Sequence, residues 1–400
     1  MKKKIIYKNF IDKKYLNIQL NINYFEKLKE IIVNLDNTKD SFHSLSKKFK
    51  FSFEIKDLKE FKKYKYVVII GMGGSILGAE AIYNFLEKKI KKKFFFLDNI
   101  DEVKLFKTRK KINKKNTLYI IISKSGFTAE TLSNFALLKI IKKNKKNIII
   151  ISEKSQNPLY LLSKKMNFFH IEHKNYISGR YSILTEVGML PAYLMGLSIS
   201  KIRKNLSVHF EKKNNSFLKD SSTKLTKLIK GKKIKNLIFF NYVPQLNKFL
   251  FWCQQLIAES LGKKGIGFLP VISSAPKDHH SLLQLYLDGP RDKLFYIFSS
   301  EINNKIKISS KALGKDLNFL KNKSLSEIKK AQKNAFIKIL QKKKIPYREF
   351  KIKEFNEEAL GELFSYFILE TAIIGKLSSI NPFNQPAVEQ VKVITKKNLI

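Results

Sequence analysis

Four short, almost wholly apolar runs lie between residues 65 and 152, and they restrict this chain more than any other feature. They are Lys65-Tyr-Val-Val-Ile-Ile70, Lys93-Phe-Phe-Phe-Leu97, Thr117-Leu-Tyr-Ile-Ile-Ile122 and Asn147-Ile-Ile-Ile-Ile-Ser152. Runs this short and this apolar read as strands buried on both faces. Helical spacing follows the first over Ser75 to Leu86 and the third over Thr128 to Ile141. Strand, helix, strand in this order predicts an α/β domain with a parallel sheet. The alternation restarts with a strand at Asn236 to Tyr242, a helix at Gln245 to Leu261, and a strand at Leu294 to Phe298. Helices follow at Ser324 to Lys342 and Ala359 to Leu377, and Ser324 with Glu327 offers a capping-box start. The expected organisation is an N-terminal helical segment over residues 1–50, an α/β domain over 51–195, a second over 205–375, and a C-terminal tail over 376–400. A stretch rich in Lys, Ser and Asn near residues 195–215 reads as the linker.

Composition removes several classes. With 44% hydrophobic residues in 400, a packed core is expected rather than disorder. No apolar run approaches the roughly 20 residues of a membrane span. The basic start, Met1-Lys-Lys-Lys, has no apolar segment behind it, so it does not read as a signal peptide. The single cysteine, Cys253, excludes an intrachain disulfide framework and favours a cytoplasmic setting. No Cys/His cluster has zinc-site spacing, so no metal is expected. The net charge of +45 invites a nucleic-acid reading. Yet only five of the 78 basic residues are arginines, and the lysines are scattered from end to end among Ile, Asn and Phe. A nucleic-acid surface would cluster its charge and use Arg, which reads phosphate and guanine bidentately. The charge is therefore read as compositional background, with neither nucleic acid nor membrane as a partner.

Two loops are suited to phosphate. Gly71-Met-Gly-Gly-Ser-Ile-Leu-Gly78 joins a strand to a helix start. Its glycines let backbone N–H groups approach an anion, and Ser75 adds a hydroxyl. A Walker A loop is excluded, because Ala79 and Glu80 follow Gly78. Ile76 weakens a dinucleotide fingerprint, although Asp98 stands where a ribose contact would lie. Ser123-Lys-Ser-Gly-Phe-Thr128 sits in the same strand-to-helix position with three hydroxyls. Helix capping accounts for one such hydroxyl, not three. Side by side, the two loops fit a compact phosphomonoester better than an extended dinucleotide.

Acid–base candidates are few. Glu259 ends an apolar helix in Ala258-Glu-Ser-Leu-Gly-Lys-Lys-Gly265, a placement that suits a base projecting into a cleft. His280 lies in Lys277-Asp-His-His-Ser-Leu-Leu-Gln284. Arg180, in Ile177-Ser-Gly-Arg-Tyr-Ser182, is an arginine kept where the chain elsewhere chooses lysine, which points to a planar or bidentate contact. The tail Asn381-Pro-Phe-Asn-Gln-Pro-Ala-Val-Glu-Gln-Val-Lys392 makes a stiff turn and then a helix.

In this order, the motifs resemble the glucose-6-phosphate isomerase family, particularly its shorter bacterial members, from about Lys65 to Lys392. The resemblance implies two sugar-isomerase (SIS-type) α/β/α sandwich domains with parallel sheets, N-terminal helices and a C-terminal helical tail that closes the site. It implies a cytoplasmic homodimer that interconverts glucose 6-phosphate and fructose 6-phosphate through a cis-enediolate, without cofactor. Ser75, Ser123, Ser125 and Thr128 would then hold phosphate, with backbone near Gly74 and Lys124. Glu259 would move the proton, and Arg180, beside Gly179, would stabilise the enediolate. His280, from the partner subunit, and Lys392 would open the sugar ring, and Gln385 would contact substrate. Ser178 departs from the family, which has glycine there.

Overall fold

In the computed structural model, which describes residues 3–301, 306–309 and 315–399, ten strands form two five-stranded sheets. The first holds β2 (Tyr66–Ile70), β3 (Lys93–Leu97), β4 (Thr117–Ile122), β5 (Ile148–Ser152) and β6 (Phe169–Glu172), in the order β3-β2-β4-β5-β6 and parallel throughout. Its central strands are apolar and buried on both faces, the pattern a parallel sheet covered by helices requires. Ile70 lies level with Leu97 on one side and Ile121 on the other, so the loops after β2 and β4 leave the same edge.

The second sheet holds β7 (Asn236–Asn241), β8 (Leu269–Ser274), β9 (Lys293–Ser300) and β10 (Tyr347–Ile352), again parallel. Its order, β8-β7-β9-β10, repeats β3-β2-β4-β5. Where β6 closes the first sheet, β1 (Ile5–Asn9) closes the second, antiparallel to β10. The N-terminal segment expected to be helical therefore opens with a strand, followed by the helix Ile18–Val33. The strand depends on distant partners: Lys4 donates its N–H to Glu362 at 2.6 Å, and the Tyr7 hydroxyl donates to the same carboxylate at 3.1 Å.

The main apolar core lies between the sheets and joins their inner faces. The helices Leu77–Leu86 and Asn247–Leu261, each following the first strand of its repeat, pack on each other there. The helix Glu357–Leu377 is buried over nearly its whole length. Ser324 and Glu327 form the expected reciprocal capping box at the start of Leu325–Lys342. The linker stretch carries a short helix, Ile199–Lys204. No described helix is long and apolar enough to cross a membrane.

Candidate active site

The loops after β2 and β4 meet at one edge of the first sheet. A side chain on Gly71 would come within 3.0 Å of the Ile122 carbonyl, so the base of one loop rests on the strand end that launches the other. Neither following helix has a side-chain cap. Ile76 precedes Leu77–Leu86, and Thr128 stands at the cap of Ala129–Leu137 without bonding its first turn. Other helices are capped, Asn17, Asp101, Asn157 and Asn356 each accepting from a first-turn amide, although Ser216–Lys230, Asn247–Leu261 and Pro386–Asn398 also start without a side-chain cap. The two uncapped helix starts leave N–H groups and positive dipole ends open toward an anion. The Thr128 hydroxyl pairs instead with Ser123 at 2.9 Å, and the Ser125 hydroxyl accepts from the Phe127 N–H. Lys124 reaches the Asn175 carbonyl and lies 3.7 Å from Glu153. Asp98 forms an ion pair with Lys104, which removes the acidic residue a dinucleotide ribose would need.

Gly74 ties the first loop to Arg180. A Cβ there would fall 2.3 Å from the Gly179 carbonyl carbon and 2.5 Å from the Arg180 nitrogen, so only glycine permits the approach. Gly179 itself faces open space. Gly73, at φ +51°, runs against the Gln255 amide.

Arg180 is 2% exposed and nevertheless fully engaged. Its Nε donates to the Ser260 hydroxyl at 2.8 Å, Nη1 to the Gln385 side-chain Oε1 at 2.9 Å, and Nη2 to the Pro382 and Asn384 backbone carbonyls at 2.6 and 2.9 Å. Nη1 also stands 3.5 Å from a Glu259 carboxylate oxygen. One planar cation thus joins the first sheet's loops, the end of the Asn247–Leu261 helix and the C-terminal tail. Trp252, the only tryptophan, fixes the backbone by donating to the Arg180 carbonyl at 3.1 Å.

The Glu259 side chain is 22% exposed. It accepts from Gln255, one helical turn back, at 3.1 Å, and opens on a cavity of about 650 Å³ lined by Lys263, Asn381, Asn384 and Gln385. Burial, and then the nearby Arg180 charge, lower the Lys263 pKa to about 8, with Glu259 acting in the opposite direction. Its ammonium donates to the Asn381 carbonyl.

Arg180, Glu259 and Gln385 are therefore brought together, with Gly74 and Gly179 packed alongside. His280 and Lys392 are not joined to them within one chain. His280 is exposed after the short Lys277–His279 turn and has no hydrogen bond or ion pair with Glu259 or Arg180. Lys392 lies about two turns beyond Gln385 on the helix Pro386–Asn398, paired with Glu389 at 2.7 Å. Gln255, Ser260 and Lys263 were not singled out from the sequence. The four-residue spacing of Gln255 and Glu259 on one helix was a usable signal for the first of them. Ser178, the departure from the family, has a buried hydroxyl without a partner.

Comparison with known proteins gives the family. The sequence matches the phosphoglucose isomerase family over residues 25–399. It is 34% identical to a glucose-6-phosphate isomerase of Methanocaldococcus jannaschii, with 84% of each chain covered. It is 30% identical to one of Mycoplasmopsis pulmonis, covering 94% of this chain and 96% of that one. Among solved structures, a glucose-6-phosphate isomerase from Chlamydia trachomatis shares the fold with a TM-score of 0.78 at 17% identity, over 99% of this chain and 88% of that one. A Thermus thermophilus protein described as hypothetical does so equally, at 23% identity over 98% and 100%. The chain belongs to the phosphoglucose isomerase family.

Proposed function

We propose that this chain interconverts glucose 6-phosphate and fructose 6-phosphate, an aldose–ketose isomerisation of glycolysis and gluconeogenesis, with Glu259 as the base. The observation that carries this reading is the setting of Glu259. Its carboxylate is held between Arg180 and Gln255 at the mouth of a cavity, and Gly74 packs the phosphate loops against the same arginine.

The phosphate sits between the uncapped helix starts, held by Ser75, Ser123, Ser125 and Thr128 with backbone near Gly74 and Lys124. Gln385 contacts the sugar. Glu259 removes the C2 proton of the open-chain aldose, the C1 oxygen gains charge as the cis-enediolate forms, the hydroxyl proton passes from the C2 oxygen to the C1 oxygen, and the carboxylic acid returns the carbon-derived proton to C1. Arg180 offsets the developing charge; because it is already oriented by four acceptors, it has little reorganisation to undergo.

Ring opening is assigned to His280 and Lys392, with His280 contributed by the partner subunit of a homodimer. The exposure of His280 and the helix Pro386–Asn398 support this. That helix buries none of its side chains and leaves Val388, Val391, Val393 and Ile394 uncovered, as a surface awaiting a second copy would. The lone buried thiol of Cys253 agrees with a cytoplasmic setting.

Fructose 6-phosphate formation from glucose 6-phosphate, followed by a coupled assay, tests the activity. Saturable turnover is expected. Binding of the sugar phosphate without product would overturn the reading.

A further inference from the structure

The second sheet repeats the strand order of the first, and the repeat extends to its switch point. In the first sheet the chain leaves β2 toward β3 and β4 toward β5, in opposite directions, and the two phosphate loops open where these paths part. In the second it leaves β7 toward β8 and β9 toward β10 in the same way. Open α/β sheets bind ligands outside the carboxyl ends of their strands at such a point.

A cavity of about 400 Å³ lies there. Its walls come from Tyr242, just past β7, from Ser299 and Ser300 at the end of β9, from Lys351 on β10, and from Lys329 and Lys333 on the helix Leu325–Lys342. Lys330 completes the lysine face. Two of these cations are answered locally: Lys351 pairs with Glu301 at 2.7 Å and Lys333 with Glu349 at 3.4 Å. Lys329 and Lys330 have no carboxylate partner among the described residues, which leaves the cavity with excess positive charge.

Scattered lysines alone would say little in a chain of this composition. Ser299 adds an independent sign. It is 92% buried, lines the cavity, and its hydroxyl has no hydrogen-bond partner. A buried hydroxyl left unpaired is costly, and a ligand oxygen would satisfy it. Ser299 and Ser300 stand at the end of β9 as Ser123 stands after β4. We propose that this cavity is a second anion site, separate from the one at Glu259, for a compact phosphate-bearing molecule. Lys329 and Lys330 supply charge and Ser299 a hydroxyl donor. The volume suits a sugar phosphate or a small inorganic phosphate.

The test is calorimetric titration of the full chain with inorganic pyrophosphate, and separately with fructose 6-phosphate. Two classes of site are expected. K329Q/K330Q, at surface positions where folding is checked by circular dichroism, should weaken one class at least tenfold and leave basal isomerisation unchanged. S125A/T128A should weaken only the other class. Ser299→Ala should weaken the first class with no loss of fold. Stronger displacement by the sugar phosphate would identify a metabolite site, and equal or stronger displacement by pyrophosphate an inorganic phosphate site. Binding unaffected by K329Q/K330Q, or abolished entirely by S125A/T128A, would overturn the proposal.

Discussion

Arg180 holds Glu259 at 3.5 Å while the same guanidinium binds Ser260, Gln385 and two carbonyls of the tail. The carboxylate proposed as the base and the cation proposed to stabilise the intermediate are thus in direct ion-pair contact. A lysine has the charge but not the fork. In Arg180→Lys, one ammonium cannot serve acceptors on three sides of a plane, and the buried Pro382 carbonyl loses its donor. Turnover is expected to fall on the order of a hundredfold or more, as when a preorganised charge donor is removed. The unpaired Pro382 carbonyl should also cost roughly 1–3 kcal/mol. Steady-state kinetics and urea unfolding of the variant measure both effects.

Gly74→Ala tests the contact that brings the phosphate loop to Arg180. The added methyl would meet backbone at 2.3–2.5 Å, and backbone cannot swing aside as a flexible side chain can. A loss of about 1–3 kcal/mol in stability is expected from overpacking. Because the loop must retreat from Gly179, kcat/KM should fall further than the stability loss explains. A variant with wild-type kinetics would show that the approach is incidental.

The central strands were readable from the sequence because both their faces are covered, and continuous Val and Ile leave no alternative. Strands β1 and β10, at one side of the second sheet, were not. β10 reads Tyr-Arg-Glu-Phe-Lys-Ile and includes Arg348, a fully buried cation whose partner Glu370 lies on another element. β1 becomes a strand only against β10, a pairing across more than three hundred residues that no local pattern announces. The same division holds at the site. Arg180 and Glu259 stood out by residue type and context. Gln255, Ser260 and Lys263 gain meaning only once the helix end, the tail and Arg180 meet.

Lys263 gives the site a pH dependence. Its pKa is lowered to about 8, so the ammonium is charged below that value and neutral above it. An anionic substrate in this cavity loses a nearby cation as pH rises through that range. The expected outcome is a several-fold fall in kcat/KM above pH 8, carried mainly by KM. In Lys263→Gln the baseline should be lower and this limb of the profile absent. An unchanged limb in the variant would assign it to another group.

Donation of His280 across the subunit boundary predicts complementation. Dimers of Glu259→Gln alone and of His280→Ala alone should each be impaired at both sites. Reassorted mixtures contain hybrids with one site built wholly from intact residues, and should recover about a quarter of the wild-type rate. If each chain used its own histidine, no hybrid site would be intact and mixing would restore nothing.

The most direct measurement of the central claim follows hydrogen exchange at the reacting carbons. In heavy water, proton transfer by Glu259 through an enediolate should place deuterium at C2 of glucose 6-phosphate and C1 of fructose 6-phosphate. Glu259→Gln should abolish that incorporation and lower turnover by at least about a hundredfold, the scale of a general base, while sugar-phosphate binding persists. Exchange and turnover in Glu259→Gln at the wild-type rates would contradict the assignment of Glu259 as the base.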